Sequence, residues 1–296
     1  MSINCSTLGG ETYAMNIERL CRPTREEFER RFLRPQRPVV ITGAMENWAP
    51  LRHWTNEYMK ARAGERTIRV STAHRGVHFK GANQILDYSS MKFSEYIDLV
   101  ASHEISDGRL YATVVPIQKT LPELWPDVAF PPYLDREDCA SPNMWFGPGR
   151  NVSPLHYDST HNFLTQIRGK KRVLLFHPDE ASRLYPFSFR HHSMHISQVN
   201  MVEPDHGRFP EFQRAERMEV VLEPGDMLFI PLFWWHAVFG IEENLSINYW
   251  WRTPVSAYLR YPRQTARGVG GLVVNGARSL WNARASKASA QPRATS

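Results

Sequence analysis

A chain of 296 residues with 42% hydrophobic and 12% aromatic content has material for a sizeable core, in one large domain or two small ones. Its formal charge of +6 belongs to its end: from Arg260 onward there are seven basic residues and no acid, leaving 29 basic against 30 acidic residues before that point. A neutral body argues against a surface built for nucleic acid, and three distant cysteines (Cys5, Cys21, Cys139) without a C-x-x-C argue against a disulfide framework or structural zinc and for a reducing compartment.

Residues 1–20 read as an N-terminal arm. They lack a charged segment followed by an apolar run, and no stretch of the chain approaches a membrane span, so the expectation is a soluble intracellular protein, cytoplasmic or, in a eukaryote, nuclear. "TREEFERRFLRP" (24–35) opens with Thr24 and has Glu27 three positions on, the pattern of a capping box ahead of a short helix. Val39 to Thr42 is an apolar strand ended by Gly43. Residues 54–64 read as a helix ending at Gly64, 66–73 as a strand, and 91–102 as a helix with Phe93, Tyr96, Ile97 and Val100 on one face. "RLYATVV" (109–115) is another strand, and 116–142, rich in proline and acids, an irregular connection. From Asn143 short strand signals dominate, with Gly169 and Pro224-Gly225-Asp226 as hairpin turns. Many short strands with turns between them predict a mostly β sandwich or barrel over residues 21–252. The basic tail, 253–296, reads either as a helical element that pairs two copies or as a disordered terminus.

The pattern His-x-Asp occurs twice. On a strand, side chains two apart share a face, so His156 and Asp158 point together and Tyr157 away. In the second copy Pro178 separates His177 from Asp179 just past a strand, which marks a strand end and a decoy. His236, in "FWWHAVFG", is the candidate third ligand. Two imidazoles and one carboxylate hold one face of a six-coordinate metal and leave three positions open, which suits Fe(II) oxygen chemistry. Lys171 falls in line with Val173 and Leu175. If that face is inward, Lys171 is a buried cation that needs an anion, while Lys170 and Arg172 face out. Asn162 and Asn248 alternate with residues of the same strands and are candidates for the same cavity. Phe163, Trp234 and Trp250 are candidate walls, against the plainer role of core aromatics.

Taken together, "SPLHYDSTHNFLTQIRGKKRVLLFHP", "RFPEFQ", "EVVLEPGDMLFIPLFWWHAVFG" and "SINYWW" resemble the jumonji-C (cupin-like) hydroxylases over roughly residues 20–252. In motif the chain is most similar to the asparaginyl hydroxylases that act on hypoxia-inducible factor, and it also resembles the tRNA wybutosine hydroxylases. The resemblance implies a double-stranded β-helix (cupin, jelly-roll) core with flanking helices. It also implies Fe(II) with 2-oxoglutarate and O2 as co-substrates, and iron ligands at His156, Asp158 and His236. By the same likeness Lys171 meets the distal carboxylate of 2-oxoglutarate, with further contacts from Asn162, Asn248, Tyr111 and Ser153. The implied reaction is hydroxylation of a protein or peptide side chain with release of succinate and CO2. RNA or a small molecule as substrate, N-demethylation by the same chemistry, and a non-catalytic binding cupin are the alternatives. On the substrate side Ile196 stands where those relatives carry Gln, whereas Gln198 and Trp250 match them. A dimer through the C-terminal region is implied by the same relatives. A Ser153-His156-Asp158 hydrolase lacks a G-x-S-x-G elbow, and the cluster His191, His192 and His195 reads as a pocket-edge loop rather than a second metal site.

Overall fold

A computed structural model describes residues 15–74, 76–78 and 87–271. Its strands are β1 (Met15–Asn16), β2 (Arg19–Cys21), β3 (Val39–Thr42), β4 (Thr67–Thr72), β5 (Tyr88–Lys92), β6 (Leu110–Pro116), β7 (Cys139–Gly147), β8 (Val152–Tyr157), β9 (His161–Arg168), β10 (Lys171–Phe176), β11 (Met218–Leu222), β12 (Met227–Ile230), β13 (Trp235–Gly240) and β14 (Asn244–Trp251). They form two sheets, one in the order β1-β11-β10-β13-β8, the other β2-β3-β12-β9-β14-β7-β6-β4-β5. From β8 onward the chain passes back and forth between the sheets, except that β10 and β11 are consecutive neighbours in the small one.

The turns at Gly169 and at Pro224-Gly225-Asp226 are present, but neither closes a hairpin. Gly169, at φ +60°, carries the chain from β9 in the large sheet to β10 in the small one, and the second turn leads from β11 to β12 in the opposite sheets. A turn residue records that the chain reverses. Which strand pairs with which is decided by burial on two faces, and β9 is buried at every position except its last.

Thr24 caps α1 (Arg25–Phe28), its hydroxyl accepting from the Glu27 amide. The Glu27 carboxylate turns instead to Arg31, four residues on. The helix runs on as a wider π turn through Leu33. α2 spans Ala49–His53, α3 Asn56–Ala63 and α4 Phe93–Ala101, with α4 burying Phe93, Tyr96, Ile97 and Val100. Met91 and Lys92, expected in that helix, end β5. Residues 116–142 hold α5 (Ile117–Thr120) and two 3-10 turns before β7 begins at Cys139.

Alternation sorts the large sheet. Phe163 on β9 and Leu245, Ile247 and Tyr249 on β14 face the helices and pack with Phe28, Phe32 and Tyr96. Their neighbours Leu164, Ser246, Asn248 and Trp250 face the space between the sheets, whose apolar floor includes Leu164, Val173, Leu175, Leu228, Ile230 and Val238. On the outer face of the small sheet Leu155, Tyr157, Leu174, Phe176 and Trp235 pack under Leu184, Phe209, Phe212 and Tyr261.

The end of the expected arm belongs to the sheets: Met15 and Asn16 pair with β11, Arg19 to Cys21 with β3, and Ile17 is buried. The tail begins with α6 (Val255–Tyr258) and a helix over 262–271. Residues 272–285 of the proposed pairing helix and the first 14 residues lie outside the described residues.

Candidate active site

β8 and β13 are antiparallel neighbours with His156 directly opposite His236, so the two rings meet at a centroid distance of 4.3 Å. Asp158 follows two residues after His156, past the strand end. One donor atom from each of the three residues lies within 4.8 Å of the others, and this is the one such cluster of His, Cys, Asp and Glu among the described residues. His156 Nε2 is 3.9 Å from Asp158 Oδ1, and His236 Nε2 is 3.8 Å from Oδ2.

Backbone carbonyls set the tautomers. His156 Nδ1 is 2.8 Å from the Pro154 oxygen and His236 Nδ1 is 3.0 Å from the Trp234 oxygen. A carbonyl only accepts, so each Nδ1 carries the hydrogen and each Nε2 presents its lone pair to the cluster. Burial, and then the neighbouring His236, push His156 down to about 4, so its imidazole is neutral at pH 7. Neutral Nε2 donors, ordered from behind, are what a divalent metal takes. The Asp158 carboxylate is held as well: Trp250 Nε1 donates to Oδ2 at 2.8 Å and Asn162 Nδ2 at 3.4 Å. The donor set therefore fits Fe(II), and among the described residues no thiol competes for it.

Above the triad the cavity is lined by Tyr111, Ser153, Asn162, Lys171, Asn248 and Trp250, together with Trp145, Leu164 and Val238. Every residue expected around the co-substrate lines it. Lys171 is only 1% exposed, while its neighbours Lys170 and Arg172 face outward onto Glu223 and Glu219. Its Nζ donates to the Tyr111 hydroxyl at 3.2 Å and to Ser246 Oγ, and burial lowers it to about 7. It is a buried cation with no carboxylate against it among the described residues, which fits a ligand that brings one. Asn248 Nδ2 donates to Asn162 Oδ1 at 3.1 Å, tying β14 to β9 above Asp158.

On the substrate side the expectations divide. Trp250 lines the cavity. Ile196 is buried and bridges to His156 through the backbone, but it is not a lining residue. Gln198 is exposed and its amide donates to the Pro186 carbonyl at 3.4 Å, away from the cavity. Of the other suggested walls, Phe163 faces the helices and Trp234 donates to the Gln36 carbonyl, so both are core. His177 caps the 3-10 turn Pro178–Ser182, accepting from the Asp179 amide, which accounts for the second His-x-Asp. His191 stacks on Phe187 and His192 lies beside it, while His195 is bound to β8 by its own carbonyl, which accepts from the Tyr157 amide.

Ser246, which holds the Lys171 ammonium, and the lining residue Trp145 escaped the sequence reading. Ser246 alternates with Asn248 and Trp250 on β14, so its position was legible. Trp145 lies opposite it on β7, a strand concealed by Ser141 and Pro142.

Residues 25–257 match the family described as "Cupin-like domain". The chain is 34% identical over 241 residues to lysine-specific demethylase 8 of Xenopus tropicalis, covering 79% of this chain and 52% of that protein. It is 31% identical over 248 residues to JmjC domain-containing protein D of Dictyostelium discoideum (78% and 55%) and 28% identical over 265 residues to tRNA wybutosine-synthesizing protein 5 of Gallus gallus (84% and 81%). The chain thus spans about half the length of the first two relatives.

Proposed function

From the chain's membership of the cupin-like domain family, we propose that it is an Fe(II)- and 2-oxoglutarate-dependent oxygenase that hydroxylates a protein or peptide side chain. The observation that carries the reading is the pairing of the His156-Asp158-His236 face with a buried Lys171 that meets no carboxylate among the described residues, across one cavity. His156, Asp158 and His236 would hold the iron. Bound there, iron with 2-oxoglutarate and O2 supplies the oxidant that inserts oxygen into a substrate C–H bond, releasing succinate and CO2.

The chain's own residues bind, orient and exclude. Lys171, protonated, neutralises the distal carboxylate of 2-oxoglutarate, and the Tyr111 hydroxyl and Ser246 hold its ammonium in place. Asn162 and Asn248 offer amides beside Asp158, and Ser153 a hydroxyl on the opposite wall. Trp250 locks the Asp158 rotamer and, with Trp145, Leu164 and Val238, keeps water from the reacting space. Nothing in this arrangement needs a nucleophile, and His236 has no part in a Ser153 hydrolase.

A protein substrate is supported by the names of the demethylase relatives. If the attacked carbon is an N-methyl group, the same hydroxylation ends in demethylation. RNA is the second reading, favoured by the wybutosine relative's long match and disfavoured by the neutral body. The finer likeness to the asparaginyl hydroxylases does not extend to a substrate, since Ile196 replaces the Gln and Gln198 points away. Cytoplasm or nucleus suits Fe(II) and the free thiols of Cys21 and Cys139.

The test is succinate release with Fe(II), 2-oxoglutarate, ascorbate and O2. Turnover that vanishes in Asp158→Ala and needs far more 2-oxoglutarate in Lys171→Ala is expected. A wild type that releases no succinate and binds no 2-oxoglutarate when metal-loaded would leave a binding cupin as the better reading.

A further inference from the structure

β8 and β13 have a second face. Tyr157 sits between His156 and Asp158 in the chain, and Trp235 immediately precedes His236. By strand alternation both point away from the triad. They are register partners whose rings meet edge to face at 4.8 Å. Behind them is a half-open cavity of about 190 Å³, lined by Tyr157, Trp235, Ala181, Ser182 and Pro186 and, from the helix over 262–271, by Arg267 and Gln264. None of the triad lines it.

Two donors on its walls are unanswered. Trp235 Nε1 and Arg267 Nε are both buried without a hydrogen-bond partner. Arg267 spends one terminal nitrogen on the Phe187 carbonyl and also meets the Tyr157 hydroxyl, and the Gln264 amide is taken by the Pro178 carbonyl. No acidic side chain lines the cavity among the described residues. Buried donors of this kind are rare in folded proteins because each has given up water without return. Here one belongs to a cation, and both belong to residues that line the same half-open pocket.

We propose that this cavity is a binding site for a small organic carboxylate, its head on Arg267 and Trp235 Nε1 and its apolar body against Tyr157, Ala181 and Pro186. A planar guanidinium is the side chain best shaped for a carboxylate. At about 30 Å³ per water, the space holds about six waters, or an organic acid of roughly six to ten non-hydrogen atoms. Its position behind the metal strands makes the occupant a regulatory or structural ligand rather than a reacting one.

The test is calorimetric titration of the full chain with benzoate, against benzyl alcohol and inorganic phosphate. The expected result is saturable binding of one benzoate that persists in Lys171→Met and weakens at least about tenfold in Arg267→Met, the scale of one charge-assisted contact. Ala181→Leu, which fills the space and keeps both donors, should weaken it as much. Trp235→Phe removes the indole N–H, together with part of the ring, while leaving an aromatic wall, and serves if Arg267→Met fails to fold, as judged by its melting curve. Binding that is lost in Lys171→Met but unchanged in Arg267→Met and Ala181→Leu would place benzoate in the active site and overturn the proposal, as would the absence of saturation. Equal binding of benzyl alcohol would overturn the carboxylate, and equal binding of phosphate would overturn the apolar half of the site.

Discussion

Replacing Lys171 by methionine should stabilise the fold and disable it for 2-oxoglutarate. Burial moves the ammonium from its ordinary 10.5 to about 7. At about 1.4 kcal/mol per pH unit, that is a penalty of about 5 kcal/mol on the protonated form. The folded pKa lies below the unfolded one, so the unfolded chain binds more protons between pH 7 and 10.5 and the penalty fades as pH rises through that window. It is about 5 kcal/mol at pH 6 and about 1 kcal/mol at pH 9.5. Methionine matches the length and apolar stem. It forfeits the bonds to Tyr111 and Ser246, at about 1 kcal/mol each. The net gain at pH 6 is then about 2–4 kcal/mol, and at pH 9.5 it disappears or changes sign. Urea unfolding of both proteins at the two pH values measures this directly. A variant no more stable than wild type at pH 6, or a gain that does not shrink with pH, would show that Lys171 is not a desolvated cation. Undiminished 2-oxoglutarate affinity in the same variant would show that it does not face the co-substrate.

The same lysine predicts that 2-oxoglutarate binding takes up a proton above pH 7 and weakens about tenfold per pH unit there; calorimetry in buffers of different ionisation enthalpy reads the proton count. Trp250→Phe keeps the wall but removes the N–H on Asp158 Oδ2, and should cost about 10–100-fold in metal affinity, measured by Mn(II) competition, with little change in melting temperature. Gly169→Ala should cost at least about 3 kcal/mol: its φ is +60° and its Cβ would fall 1.8 Å from the Glu243 carbonyl oxygen, so a large drop in the urea midpoint is expected.

Local physics was legible in the chain. Thr24 caps its helix through a contact within three residues, and the buried stripe of α4, the pairing of His156 with Asp158 and the inward turn of Lys171 follow from periods of 3.6 and 2 that one segment carries by itself. Alternation likewise placed Ser246, Asn248 and Trp250 on one face. Partnership was decided by the tertiary structure. Gly169 announces a reversal, but only the closing of two sheets over a shared core determines that β10 leaves β9 and pairs with β13. That choice brings His236 opposite His156, 80 residues apart in the chain. Gln198, Phe163 and Trp234 matched in letter or type and turned elsewhere, because neighbours from distant segments claim their side chains. The space behind Tyr157 and Trp235 exists only where the helix over 262–271 lies across the small sheet, a contact between segments that no local pattern encodes.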